Sequence, residues 1–312
     1  MNGFVGVTDN DWFAFLAQQP GIDEVNFWQP SGKSQFRALK PGEPFLFKLH
    51  APQNYVVGGG FFAHSSILPI SLAWKAFGLK NGANSLLEMK RRTEKYRREK
   101  SPSMEDYKIG CIILTQPFFF FSKNDWIPVP PDFSLNIVQG KTYNLNQGHG
   151  QSLWNEVLAK LASTQIDFFV DQRMISEQES RYGPPTLVLP RLGQGGFRVI
   201  VTDAYQRRCA ITQEKTLPTL EAAHIKPFSD SGPHLIENGI LLRSDIHRLF
   251  DSGYVTVSPD YHFEVSRRIH EEFDNGRYYY GFHGGKIHAP ADPQCKPSRE
   301  FLTWHNENVF RG

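Results

Sequence analysis

Cysteine is nearly absent: Cys111, Cys209 and Cys295 are the only three in 312 residues, they lie far apart, and no Cys-x-x-Cys pair occurs. An odd number at such distances argues against a disulfide framework and a four-cysteine zinc site, and agrees with a reducing cytoplasm. Long apolar runs are missing too. None approaches the roughly 20 residues that a membrane-spanning helix needs, so no membrane partner is expected. The opening MNGFVGVTDNDWF has no basic stretch followed by an apolar one, and no secretory signal is expected there. Neither sign of charge dominates, the formal net charge being +2. That sum neither points to nucleic acid nor excludes it, because local clustering decides such binding.

Aromatic side chains, by contrast, are abundant. They make up 13% of the chain, with 25 Phe among them, enough to fill a sizeable core without covalent staples. Apolar residues at 40% and charged residues at 21% are ordinary for a globular protein. At 312 residues, two domains are the natural expectation.

The first 148 residues read as short strands broken by turns. Phe45-Leu46-Phe47-Lys48-Leu49 follows the turn signal Lys40-Pro41-Gly42-Glu43-Pro44, and Tyr55–Phe62 is a second run. Gly58-Gly59-Gly60 within it predicts a bulge or a close backbone approach. Ile109–Leu114 is a third run, and Phe118–Phe121 with Trp126–Val129 add strand-like material. This pattern predicts a small, strongly curved sheet or barrel. From Leu68 to about Lys100 a helical insertion interrupts it, with Ser85 and Glu88 spaced as a capping box. Its end, KRRTEKYRREK, carries seven basic residues against two acidic ones. It reads either as a solvated helix face or as a phosphate-contacting strip. Gln151 to about Phe169 predicts a connecting helix, and the Pro- and Gly-rich stretch up to Pro190 predicts a boundary. The expected division is 1–148, a connection over 149–190, and a second domain over 191–312.

The second domain concentrates the chemistry. Phe197–Tyr205 reads as a helix, Leu220–Ile225 as a short strand ending in His224, and Pro227–Glu237 as a loop. Asn238 then precedes the strand Ile240-Leu241-Leu242, and Arg243–Asp251 reads as a helix carrying His247, with Ser244 or Asp245 as its cap. The order is strand, loop, strand, helix. A histidine, unprotonated near neutral pH, can accept the proton from water.

The run CAITQ…LEAAHIKPFSDSGPHLIENGILLRSDIHRLFDSGY resembles the HNH endonucleases, specifically the restriction-type branch with an AAHI core. Fourteen and nine residues separate His224 from Asn238 and Asn238 from His247, spacings that resemble those of the ββα-metal fold. The resemblance implies His224 as general base, Asn238 as a brace for the loop, and His247 as metal ligand. It further implies a divalent cofactor, Mg²⁺ first and Mn²⁺ as another candidate, with double-stranded DNA as substrate. In one respect the chain departs from its relatives, which commonly carry Asp or His before the base where this chain has Ala223. Asp251, four residues after His247 and so on the same helical face, is the first candidate for a second ligand. A helix-end or surface carboxylate is the competing reading. Arg191, Arg198, Arg243 and Arg248 are candidates for contacting the DNA backbone, or else ordinary exposed arginines.

The N-terminal pattern, with LKPGEPFLFKL, VVGGGFF, the helical insertion and IGCIIL, is similar to PUA-like modules of the EVE, ASCH and SRA group. That likeness implies a reader of nucleic acid, including modified bases flipped into an aromatic pocket. Phe27, Trp28 and Trp74 are candidate pocket walls, with ordinary core packing as the alternative. The expected whole is an α+β chain, a reader joined to a cutter, used in restriction of modified foreign DNA and able to act as a homodimer. Two other readings stay open: a non-catalytic nucleic-acid-binding protein in which Ala223 marks a decayed site, and an RNA-directed nuclease.

Overall fold

A computed structural model of the chain describes residues 1–97, 106–134, 136–163 and 192–312. The chain divides into two compact units, Met1–Pro190 and Arg191–Gly312. Among the described residues no helix is long and apolar enough to cross a membrane.

The N-terminal unit is built on β1 (Asn2–Thr8), β2 (Glu24–Gln29), β3 (Pro44–Leu49), β4 (Tyr55–Pro69), β5 (Lys108–Phe119), β6 (Ile127–Pro128) and β7 (Gly140–Asn144). They form one mixed sheet in the order β2-β5-β4-β3-β1-β7, with β6 against β4; only β1 and β3 run parallel. The end strands β2 and β7 do not pair with each other among the described residues, so the ladder is an open sheet and not a closed barrel. β3 is buried along its whole length, which explains why PFLFKL reads as one apolar run and not as an alternating one. Its Leu46 joins Val56, Phe118 and Phe120 beneath Leu153, Val157 and Leu161 of α4 (Gly148–Ser163). On the other side Phe45 and Phe47 meet Phe27, and Phe47 meets Trp12 of α1 (Asn10–Leu16). The glycine run of β4 lies where the β4–β5 register slips, between Gly59 and Phe61. A Cβ on Gly59 would stand 2.7 Å from the Phe45 carbonyl oxygen, so the close approach needs glycine there.

Between β4 and β5 lie α2 (Ile70–Phe77) and α3 (Leu86–Tyr96), the helical insertion of the sequence. Ser85 caps α3 by accepting from the Glu88 backbone N–H at 3.2 Å, while the Glu88 carboxylate accepts from Asn84 N–H at 2.8 Å. Of the basic run, Arg92 donates to Glu88 and to the Gly82 carbonyl. Arg97 donates to the Pro30 carbonyl at 2.7 Å and lies over the Tyr107 ring. Both are thus committed to internal contacts, and the last three residues of the run fall outside the described residues.

The C-terminal unit begins with α5 (Gln194–Ala204), followed by β8 (Leu220–His224), β9 (Gly239–Arg243) and α6 (Ser244–Asp251). A second small hairpin, β10 (Val255–Val257) with β11 (Phe263–Val265), precedes α7 (Arg268–Phe273), α8 (Arg277–Tyr280) and α9 (Arg299–Asn308). Phe197 and Val201 of α5, the apolar run of β9, and Ile246 and Phe250 of α6 share one buried core with Leu302 of α9. Gly239 lets α5 press onto the hairpin, since a Cβ there would stand 2.4 Å from a Val201 methyl. α6 carries no side-chain cap: Ser244 is its first helical residue, and the Asp245 carboxylate is drawn instead to the Arg243 guanidinium. Of the connecting helix, α4 accounts for the part up to Ser163; residues 164–190 lie outside the described residues.

Candidate active site

β8 and β9 pair antiparallel with Ala223 opposite Ile240 and His224 opposite Gly239, and α6 follows β9 without a break. Alternation along β8 puts Ala222 and His224 on one face and Glu221 and Ala223 on the other. The first pair lines a cleft of about 370 Å³, together with Phe197 and Arg198 of α5 and His247 and Asp251 of α6. His224 and His247 therefore open onto one cavity. Sequence distance between them is bridged by the hairpin turn.

Asn238 has no exposed surface. Its Oδ1 accepts from Lys226 N–H at 2.9 Å, and its Nδ2 donates to the carbonyls of Lys226 and Pro233 at 2.9 and 3.0 Å. Its own carbonyl accepts from Ile225 N–H at 2.9 Å. One amide thus fastens both ends of the loop that follows His224. The brace is fully buried and spends its side chain on backbone groups.

The His224 ring stacks on Phe197 with centroids 3.9 Å apart, and its Nε2 lies 2.9 Å from Nδ1 of His234. Burial lowers the His224 pKa, with the neighbouring His234 and His247 adding to the effect, to about 4. The ring is consequently uncharged at neutral pH and has a lone pair to offer.

His247 stands between two carboxylates. Its Nδ1 meets Glu221 Oε2 at 2.8 Å, and its Nε2 lies 3.4 Å from Asp251 Oδ2. Burial raises the Asp251 pKa; His247 opposes that rise and Glu221 adds to it. Among the described residues no group of three or more His, Cys, Asp or Glu side chains gathers as a ready metal cage. What the cleft does present is one imidazole nitrogen and one carboxylate, with Glu221 behind the ring. A carboxylate on the far nitrogen of a ligating histidine fixes its tautomer and raises its basicity. Two protein donors with open positions suit Mg²⁺, which keeps several waters, and do not make a closed zinc site.

Of the four arginines read from the sequence, Arg198 lines the cleft and Arg248 is exposed on α6. Arg243 is held by Asp245 through two contacts of 2.6 and 2.7 Å and donates to Tyr278 Oη at 2.7 Å, so its charge is already matched. Arg191 lies outside the described residues. The three aromatic candidates do not come together. Phe27 and Trp28 are neighbours on β2 and face opposite sides of the sheet, as strand alternation requires. Phe27 packs with Trp12, Phe45 and Phe47, whereas Trp28 donates its Nε1–H to the Asn81 carbonyl at 3.1 Å. Trp74 is half-buried on α2, and among the described residues no ring contact joins it to either.

Glu221, His234, Phe197 and Phe228 also belong to the site, and the sequence reading assigned none of them to it. For Glu221 a signal existed in the strand period, which sets it two residues from Ala223 on the same face. For His234 none did, because its place depends on the path of a loop.

No curated protein matches the chain. Among solved structures, a modification-dependent TagI restriction endonuclease overlaps 98% of this chain and 81% of its own length, at 12% identity and a TM-score of 0.29. Likeness at that score establishes neither fold nor function. Residues 209–258, which hold the hairpin, the braced loop and α6, match the HNH endonuclease family.

Proposed function

We propose that this chain is a metal-dependent DNA endonuclease of the ββα-metal kind, with its chemistry in the cleft between β8 and α6. The observation that carries the reading is that His224 and His247, from a strand and from the helix after its hairpin, open onto one cleft inside the HNH-matching segment. His224 takes the proton of the attacking water. The amide of Asn238 keeps the strand end and the loop in place around that base. His247 Nε2 and Asp251 are the side chains that would hold a divalent cation, with Glu221 fixing the ring from behind. When bound, such a cation would stabilise charge on the phosphate and the leaving oxygen. Arg198 meets the DNA backbone beside the scissile group.

The N-terminal unit is assigned the reading of the substrate. Its support is an aromatic-rich mixed sheet with a helical insertion between two of its strands, the arrangement that the resemblance to PUA-like modules implied. The proposed substrate is double-stranded DNA with modified bases, and the proposed role is restriction. A homodimer would place two such clefts on opposite strands.

Purified full-length chain is incubated with Mg²⁺ or Mn²⁺ and plasmid, unmodified phage and modified phage DNA, beside a His224→Ala variant of equal thermal stability. Cleavage by the wild type alone, strongest on modified DNA, is the expected result. Folded wild type that cuts none of them, and behaves like His224→Ala, would favour the non-catalytic binder instead. Cleavage of matched RNA in preference to DNA would reassign the substrate.

A further inference from the structure

His234 lies in the loop between β8 and β9, ten residues from His224 in sequence, and meets it across a 2.9 Å contact between Nδ1 of His234 and Nε2 of His224. The two imidazoles are enclosed by two phenylalanines. Phe197 stacks on His224 at 3.9 Å and 12°, and Phe228 stacks on His234 at 4.9 Å and 9°. Phe228 is 67% exposed, with one ring face set against His234.

The loop that delivers His234 is fastened on both sides. Asn238 Nδ2 donates to the carbonyl of Pro233, the residue just before it. Gly232 packs so tightly that a Cβ there would stand 1.9 Å from the Lys226 carbonyl oxygen. His234 is therefore held in place by the same brace that holds the strand end.

Two proton arrangements are compatible with the contact, and they are not equivalent. If His234 donated, His224 Nδ1 would carry the remaining proton of a neutral ring and could accept none. If His224 Nε2–H donates, its Nδ1 keeps a lone pair. Nδ1 has no hydrogen-bond partner among the described residues. We infer that His234 is the positioning residue of His224: its Nδ1 accepts the Nε2–H and fixes the tautomer whose Nδ1 is free to take a proton. In the reaction the proton leaving water forms a new N–H bond at His224 Nδ1, and the resulting imidazolium keeps donating from Nε2 to His234. The carboxylate of a serine-protease triad orients its histidine by the same logic, here carried out by a neutral ring that stores no charge beside the base. This inference rests on the nuclease reading above, in which His224 is the base.

The test uses full-length wild type, His234→Asn and His234→Phe, each checked for unchanged thermal unfolding. Asn places an oxygen where Nδ1 stands and keeps the acceptor; Phe keeps the ring on Phe228 and loses it. With Mg²⁺ and cleavable DNA, His234→Phe should lower kcat on the order of 100-fold at unchanged KM, the scale of a mis-set general base. His234→Asn should recover most of that rate. A Phe variant as fast as wild type, or two variants equally slow, would overturn the inference. Nitrogen NMR of ¹⁵N-histidine-labelled protein gives a readout independent of cleavage. Wild type should show His224 protonated at Nε2 and bare at Nδ1, and His234→Phe a mixture; protonation at Nδ1 in the wild type overturns the assignment. If wild type cleaves nothing, the nuclease reading fails, and the tautomer spectrum alone decides the positioning claim.

Discussion

Glu221 and His247 are joined by a 2.8 Å contact between a strand carboxylate and Nδ1 of a helix imidazole. The face of β8 on which an acidic or imidazole ligand was expected carries Ala223 at that position, and Glu221 is the next residue along the same face. Its longer side chain reaches the ring from behind and leaves Nε2 for the cleft. Replacing Glu221 by Gln should weaken the apparent affinity for Mg²⁺ or Mn²⁺ by about 10–100-fold. Titration calorimetry or the metal dependence of cleavage measures it, and an unchanged affinity would detach Glu221 from the site.

Acid should be tolerated well below the ordinary histidine range. A general base works in its unprotonated form, so activity is lost as pH falls through its pKa. With His224 held at about 4 by burial and by its histidine neighbours, kcat/KM should stay level between pH 7 and about 5 and decline only below that. At saturating metal, a pH profile that turns down near 6.5 would count against a buried His224 as the base.

Asn238 satisfies three backbone groups of one loop from a position with no exposed surface. Asn238→Ala should cost about 2–4 kcal/mol of unfolding free energy, because buried backbone donors and acceptors would be left unpaired. Denaturant unfolding of the variant measures this. Asn238→Asp keeps the acceptor toward Lys226 but sets a charge against two carbonyls, and should also lose stability.

His305 also borders the cleft, with both ring nitrogens turned to partners in the core. It is 2% exposed, stacks on Phe250 at 3.7 Å, and contacts Thr256 Oγ1 at 2.8 Å and the Phe250 carbonyl at 3.1 Å. The carbonyl can only accept, so Nε2 carries the proton and Nδ1 accepts from the threonine hydroxyl. Burial lowers its pKa to about 4, against 6.5 for a free imidazole. The unfolded chain therefore takes up this proton first as pH falls. Its stabilisation is complete above pH 6.5 and drains away between 6.5 and 4, about 2 kcal/mol being lost by pH 4.5. His305→Gln should flatten that part of the stability curve in thermal unfolding at a series of pH values.

The arginines should separate by salt dependence. Arg198 lines the cleft, and Arg243 is held by Asp245 and Tyr278. Arg198→Ala should reduce the slope of log Kd for DNA against log salt by about 1, the loss of one phosphate contact. Arg243→Ala should leave the slope nearly unchanged and act on stability. Binding isotherms at several salt concentrations distinguish the two.

Local order set much of this protein. The strand, loop, strand, helix succession is written in residue types and their periods, and it fixes where along the chain His224, Asn238 and His247 fall. The helical insertion and its Ser85 cap are local in the same sense. Burial of the whole of β3, the slip at the glycine run and the open end-strands are not, because they depend on which strands become neighbours. The aromatic candidates show the difference most plainly. Their type was visible, yet Phe27 and Trp28 are adjacent on one strand and so are sent to opposite faces.

Residue order along the chain was enough to set the positions of His224, Asn238 and His247 and the strand, loop and helix that carry them, since these follow from short-range propensity. Packing across the chain decided the rest: Glu221 meets His247 Nδ1, Arg243 is neutralised by Asp245, and His234 closes onto His224. Each of those is a contact of a few ångströms set by how a loop or strand packs. Spacing along a chain does not encode distances across it.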